Sequence, residues 1–332
     1  MDKHDWNPAE LLQLSGGYWS ACALHAGVKL DLFSHAGTAS ELAQATASDE
    51  RALEMLLNAL TALGLMEKEG DRYAATTFAA EYLARTSPRY LGYIIMHHHN
   101  LMAGWSHLDE SVRSGAPFSG RISHAGDESE RENFEMGMFN LAMQIAPRIV
   151  SKVDLLARRC LLDLGGGPGT YAIHFCQANP QLTATVYDLP TTRRFAEKTI
   201  ASFGLSDRIQ FQEGDFISDD VPGGFDVAWL SHILHSEGAE GCAVILRRAV
   251  AALEPGGLLL VQEFILDDSM DGPLFPALFS LNMLLGTPQG RSYSQRQLEA
   301  MMSAAGVGSI RRLELDLPNG AGVLAGIVEQ RT

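Results

Sequence analysis

The chain has 332 residues, enough for two domains that each bury a core. Its 46% hydrophobic and 20% charged residues are the proportions of a soluble globular protein. Forty Asp and Glu against 25 Lys and Arg leave a formal net charge of −15, which argues against nucleic acid or an anionic membrane as a partner, since both demand clustered cations. The four cysteines (Cys22, Cys160, Cys176, Cys242) are scattered without a C-x-x-C pair, and Cys160 and Cys176 read as small buried hydrophobes. The opening Met1-Asp2-Lys3-His4-Asp5 lacks a basic-then-apolar signal pattern, and no apolar run approaches the roughly 18 residues of a membrane span. A reducing cytoplasm is the expected setting.

Residues 8–33 place Leu11, Leu12, Leu14, Tyr18, Ala21, Ala23 and Leu24 at mostly helical spacing and predict a helix. Ser40 is the expected cap of a helix beginning at Glu41. A second helix is predicted over 49–63, with Leu53, Leu56, Leu57 and Leu60 on one face and Gly64 ending it. Residues 65–74 read as a hairpin turning at Gly70-Asp71. Helix, helix and hairpin make a winged helix-turn-helix over residues 1–100. Its would-be recognition helix runs Asp49-Glu50-Arg51-Ala52-Leu53-Glu54-Met55, acidic where DNA phosphates would lie. Dimerisation is therefore the favoured role, with a ligand-sensing regulator as the alternative of a different class.

Residues 78–150 read as mostly helix, with 101–152 linking the two domains. His97, His98 and His99 are adjacent, and successive helical residues diverge by about 100°. They do not make a metal cluster, and partners at zinc spacing are missing, so no metal is expected. One of them is a candidate pocket residue. Ser114-Gly115-Ala116-Pro117 signals a loop, and residues 128–145 predict an apolar-faced helix.

From residue 153 strands and helices alternate, which predicts a mostly parallel sheet and an α/β domain of Rossmann-like type. Strands are expected over 160–164, 184–187, 209–211, 225–230 and 258–263, with Pro255-Gly256-Gly257 turning into the last. Helices are expected over 191–203, 239–253 and 294–305. Strands near 310–315 and 322–328 suggest an antiparallel edge hairpin, unlike a dehydrogenase sheet. Leu161-Leu162-Asp163-Leu164-Gly165-Gly166-Gly167-Pro168-Gly169-Thr170 is an apolar strand breaking into glycines before a helix, the turn of a mononucleotide-binding unit. Asp188 ends the next strand about 20 residues on, where a carboxylate accepts from both ribose hydroxyls.

Those features, with Asp215-Phe216 to flank an adenine, Glu254-Pro255-Gly256-Gly257, and Trp229-Leu230-Ser231-His232-Ile233-Leu234-His235, resemble the S-adenosylmethionine-dependent small-molecule O-methyltransferases of the caffeic-acid type and their bacterial polyketide-tailoring relatives. The resemblance covers nearly the whole chain. It implies a winged-helix dimerisation domain, a homodimer, and a catalytic domain binding S-adenosyl-L-methionine through Asp163, Gly165, Gly166, Gly167, Asp188, Leu189, Asp215, Phe216 and Ser231. It implies His235 as general base for an acceptor hydroxyl and Glu263 as the carboxylate bracketing it. Two positions depart from the family pattern: Ser236 stands where Asp commonly follows the base, and Ser292 where a second bracketing Glu is expected. His98, Trp105, Met138 and Asn282 are candidates for contact with an aromatic or polyketide-like acceptor, since Met and aromatic side chains suit flat rings. By the residues alone, His232 and His235 are both open to a structural role, Glu263 to ending a strand, and Asp226 reads as structural. The acceptor atom also stays open between oxygen and a thiol, amine or carbon.

Overall fold

The computed structural model describes residues 5–120 and 127–329, so Met1 to His4 of the opening segment lie outside the described residues. The chain divides into two compact units, residues 1–101 and 102–332. In the first, α1 (Pro8–Gly16) opens on Asn7, whose side chain accepts the Ala9 and Glu10 N–H groups at 3.0 Å each while Glu10 accepts from the Asn7 N–H. The single helix expected over 8–33 is broken: α2 (Tyr18–Lys29) starts after Gly17, and Leu32–Ser34 forms a separate 3-10 turn. Two consecutive glycines weaken helix at that junction. β1 (Gly37–Thr38) leads into α3 (Ala39–Ala45), which Thr38 caps rather than Ser40. Glu41 decides this, because its carboxylate accepts the Thr38 N–H at 2.8 Å while the Thr38 hydroxyl accepts the Glu41 N–H at 3.2 Å.

Asp49 caps α4 (Glu50–Ala62), and β2 (Met66–Glu69) and β3 (Arg72–Ala75) form the wing, ordered β1-β3-β2. α5 (Thr77–Leu83) follows. Leu53, Leu57 and Leu60 pack with Val28, Leu32, Phe33, Leu42 and Tyr73 in this unit's own core, with Leu56 partly buried against it. α6 (Gly92–Trp105) runs across the division between units, followed by α7 (Leu108–Ser114) and α8 (Glu128–Val150). α8 continues beyond the expected residue 145, past Pro147, because Ala146, Ile149 and Val150 are buried in the second unit's core.

The second unit is built from β4 (Cys160–Leu164), α9 (Thr170–Ala178), β5 (Thr183–Asp188), α10 (Arg193–Ser202), β6 (Ile209–Glu213), β7 (Phe225–Ser231), α11 (Ala239–Ala252), β8 (Leu253–Leu266), α12 (Leu274–Gly286), β9 (Tyr293–Ser294), α13 (Gln295–Ala304), β10 (Val307–Arg312) and β11 (Ala321–Val328). The main sheet runs β10-β11-β8-β7-β4-β5-β6, with β9 alongside β8. β6, β5, β4, β7 and β8 are parallel, while β11 and β10 close the edge as an antiparallel hairpin. Strand residues alternate between two cores. Leu161, Val186, Val227 and Trp229 face α8, α9 and α10, whereas Leu162, Leu164, Ala228 and Leu230 face α11 and α13.

Two strands differ from expectation. β8 is longer than 258–263: Leu253 already pairs with Phe225, and Glu254-Pro255-Gly256-Gly257 is a bulge within the ladder before Leu258 pairs with Val227. Glu263 is thus interior to β8, opposite Gly322, and does not end the strand. β10 covers Val307–Arg312 rather than 310–315, with its register shifting between Gly308 and Arg311. The chain leaves β4 for β5 and β6 on one side, then returns to β7 and β8 on the other. Ligands of such sheets bind at that reversal, beyond the strands' C-terminal ends.

Candidate functional site

At the end of β4, Gly165 has φ of +67°, and a Cβ there would lie 2.7 Å from Ile233 and 3.2 Å from Phe216. A Cβ on Gly166 would lie 2.6 Å from the Asp163 carboxyl carbon. Only glycine lets this turn pass between those side chains. Asp163 is fully buried; its Oδ2 accepts the Ala172 N–H at 3.2 Å, and its Oδ1 has no partner among the described residues. Burial, with the Asp188 charge added, outweighs that hydrogen bond and pushes the Asp163 carboxyl up to about 7. The buried Thr170 hydroxyl at the start of α9 also has no partner among the described residues.

At the end of β5, Asp188 accepts the Gly167 N–H at 2.8 Å and the Leu189 N–H at 2.7 Å. Those bonds hold the glycine turn to the next strand, and bring Asp163, Gly165, Gly166, Gly167, Asp188 and Leu189 together. Phe216 reaches the turn, as its approach to Gly165 shows, and Asp215 accepts the Ile217 N–H at 2.8 Å. The Ser231 hydroxyl at the end of β7 donates to Gln262 at 3.1 Å. The turn without Cβ atoms, the orphaned Asp163 and Thr170 oxygens and the acid ending β5 fit a nucleoside carrying a polar amino-acid tail.

His235 follows β7 in a 3-10 turn, and its Nδ1 lies 2.7 Å from Glu263 Oε2. Glu263 Oε1 accepts the Leu234 N–H at 2.8 Å and the His235 N–H at 3.3 Å. Burial pushes the Glu263 carboxyl up, but the adjacent His235 and His232 imidazoles outweigh it and hold it at about 2. An ionised carboxylate only accepts, so His235 Nδ1 carries the proton and Nε2 is left as the acceptor. His232 Nδ1 stands 3.6 Å from the same Oε2, beyond hydrogen-bond range, and burial keeps its imidazole below the ordinary value. Of the two histidines left open by the sequence, His235 therefore holds the short bond. His232, His235 and Glu263 have the atom types of a metal site, all within 4.8 Å of one another, but the 2.7 Å contact is a hydrogen-bond distance.

Ser236 donates back to the Ile233 carbonyl at 2.8 Å, and Ser292 is buried with its hydroxyl unpartnered among the described residues. Among these residues Glu263 is the single carboxylate bonded to His235. Asp226 accepts the Arg159 and Cys160 N–H groups at 2.7 and 2.9 Å, tying β7 to the start of β4.

Phe264, Phe275 and Phe279 cluster with ring centroids 4.8 to 6.0 Å apart, and Phe279 meets the His235 ring edge-on at 4.8 Å. The Trp105 indole N–H donates to Asn282 at 3.1 Å, joining two of the acceptor candidates across 177 positions of sequence. Met138 is half-buried on α8. His98 belongs to the first unit, where it is exposed beside buried His97, whose imidazole burial holds at about 4. Sequence reasoning missed Tyr171, whose phenol faces Gln262 and Ser231, as well as Glu135 and Thr192. An acid set between Phe134 and Met136 was the only sequence signal for Glu135.

The fold and this strand-end site define a Rossmann-like transferase with a nucleoside cofactor. Residues 105–308 match the O-methyltransferase domain and residues 12–85 the O-methyltransferase dimerisation domain. The chain belongs to the S-adenosylmethionine-dependent O-methyltransferase family. It is 36% identical to 3-hydroxy-5-methyl-1-naphthoate 3-O-methyltransferase of Streptomyces sahachiroi, over 96% of this chain and 95% of that protein. It is 32% identical to the tetracenomycin polyketide synthesis 8-O-methyl transferase TcmO of Streptomyces glaucescens, over 95% and 96%. Its fold superposes on PigF with SAH at a TM-score of 0.88 and 27% identity, covering 97% of this chain and all of that one. S-adenosylmethionine is the cofactor. Among the described residues no helix is long and apolar enough to cross a membrane.

Proposed function

We propose that this enzyme methylates a hydroxyl of an aromatic or polyketide-like small molecule, with His235 as general base. The observation that carries the reading is the 2.7 Å His235–Glu263 contact, two residues beyond the Ile233 side chain that touches the glycine turn. When bound, S-adenosylmethionine supplies a methyl group activated on a sulfonium. The enzyme's own residues have two tasks: to orient the acceptor and to take its proton.

A phenol with pKa near 10 is scarcely ionised at neutral pH. His235 Nε2 accepts the hydroxyl proton while Nδ1–H donates to Glu263, which keeps the ring in one tautomer and stabilises its charged form. Phe279, backed by Phe264 and Phe275, supplies flat apolar surface beside the His235 ring, and Trp105 fixes the Asn282 amide for a polar contact. The naphthoate and tetracenomycin names of the relatives support an aromatic or polyketide-like acceptor. Asp163, Gly165, Gly166 and Gly167 hold the amino-acid end of the cofactor, Asp188 and Leu189 the ribose, Asp215 and Phe216 the adenine, with Ser231 beside them.

Residues 1–100 serve dimerisation, 101–152 help build the acceptor pocket and 153–332 carry catalysis. A homodimer is supported by the dimerisation-domain match and by the exposed Leu11, Leu12, Leu14, Tyr18 and Trp19 of α1 and α2.

Calorimetric titration with S-adenosylhomocysteine tests the cofactor site: binding to the wild type and its loss in Asp188→Ala are expected. Labelled methyl transfer to a panel of phenols then tests the base. Transfer by His235→Ala at the wild-type rate would remove His235 from its role.

A further inference from the structure

Glu135 lies on α8, 3% exposed, the one charged residue among that helix's buried positions, which are otherwise Gly137, Asn140, Ala146, Ile149 and Val150. Its Oε1 is 3.0 Å from the Thr192 hydroxyl, which is itself 3.3 Å from Asp188 Oδ1. Its Oε2 is 3.5 Å from where a Cβ on Gly167 would stand, so the carboxyl borders the glycine turn. Three oxygens therefore stand in a row, Glu135 Oε1, Thr192 Oγ1 and Asp188 Oδ1. Thr192 has one hydroxyl proton and can donate to one neighbour only. Making both contacts hydrogen bonds requires a second proton, held by a carboxyl.

We propose that Glu135 and Asp188 share one proton through Thr192 and together clamp the ribose of S-adenosylmethionine, so that cofactor affinity falls when the pair loses that proton. The inference rests on the assignment of Asp188 to the ribose. Asp188 has Gly167 N–H and Leu189 N–H as donors and is the member suited to ionise. Glu135 then donates from Oε1 to Thr192, and its Oε2 accepts from a ribose hydroxyl beside Gly167. Burial, reinforced by the Asp188 charge, pushes the Glu135 carboxyl up to about 8, against the lowering effects of Thr192 and Arg131. Of the other charged or titratable groups on neighbouring elements, Arg193 and Arg194 of α10 pair with Glu213 and Glu128. His174 of α9 faces Met143, and Asp163 at the end of β4 lies against Gly166. Loss of the shared proton sets buried Glu135 and half-buried Asp188 against each other as carboxylates and breaks one hydrogen bond of the row.

The test is calorimetric titration of the full-length protein at pH 7 and pH 9.5 with two ligands, S-adenosylhomocysteine and 5′-methylthioadenosine. The second keeps the ribose and adenine but has no amino-acid group to titrate. Wild type should bind methylthioadenosine on the order of tenfold more weakly at pH 9.5, one proton giving at most a factor of ten per pH unit. Glu135→Gln, which cannot ionise, should bind it about equally at both values. Thr192→Val should weaken binding at pH 7 and Thr192→Ser restore it, each checked for folding by its melting curve. A fall in Glu135→Gln that parallels the wild type would overturn the proposal, as would a fall seen only with S-adenosylhomocysteine. Wild-type affinity in Asp188→Ala would instead reject the ribose assignment, and no heat from either ligand with the wild type would reject the cofactor site itself; both outcomes take the proposal down with them.

Discussion

Two regions of the second unit bury carboxyl groups near the C-terminal ends of parallel strands, and burial has opposite outcomes in them. Beside the glycine turn, Asp163 and Glu135 are driven toward their neutral forms, to about 7 and about 8. Beneath the aromatic cluster, Glu263 is as deeply buried yet held at about 2. The difference lies in the neighbours. Glu263 faces two imidazoles and two backbone N–H groups, whereas the charge with the largest effect on Asp163 and on Glu135 is another carboxylate, Asp188. Burial raises the energetic stakes; the sign of the adjacent charge decides which protonation state wins. One region thus keeps an anion bonded to His235, while the other keeps protons ready for hydrogen bonding.

The contrast breaks most visibly at His235. His235→Ala should slow methyl transfer by about 10² to 10⁴, while calorimetric affinity for S-adenosylhomocysteine stays near wild type, because the role proposed for His235 concerns the acceptor and not the cofactor. Glu263→Gln comes next. It removes the charged acceptor of a buried hydrogen bond, with an expected cost of about 2 kcal/mol near neutral pH. The Glu263 carboxyl is depressed on folding, so its stabilisation is full above its ordinary value near 4.3 and is lost as pH falls toward about 2. Melting curves should therefore show the gap between wild type and Glu263→Gln closing in acid.

Asp163→Asn should show the reverse dependence. The Asp163 carboxyl is raised on folding, so the wild type loses stability as pH climbs from about 4 through about 7. The amide has no charge to bury. Its melting temperature relative to wild type should rise between pH 5 and pH 8.5, and a constant difference would show that Asp163 ionises without penalty. The smallest effect belongs to Trp105→Phe, which removes the indole N–H from Asn282. A lost hydrogen bond of about 1 kcal/mol should raise the acceptor KM roughly fivefold with kcat little changed.

Much of this organisation was legible in the amino-acid order. The helix–helix–wing unit, the parallel strands and the edge hairpin follow from local periodicity and turn residues, which act over a few positions. The glycine turn and Asp188 are readable because each sits at a fixed offset from its own strand. One miss was local: Thr38 displaced Ser40 because Glu41, three positions on, could reciprocate its cap. Elsewhere legibility failed where a distant partner decided the outcome. β8 ran through Pro255-Gly256-Gly257 because β7 offered a ladder on both sides of the bulge. Glu135 looked like one more polar residue on a helix until β5 brought Asp188 to it.

The sequence by itself determined the kind of fold, the order of its strands and helices, and the residue types available at each strand end, because backbone propensity and hydrophobic period are properties of short segments. Which histidine meets Glu263, which carboxyls keep a proton, and that Trp105 finds Asn282 were decided only by the tertiary structure. Hydrogen bonds and charge interactions act over a few ångströms, and the groups concerned lie 28, 57 and 177 positions apart along the chain.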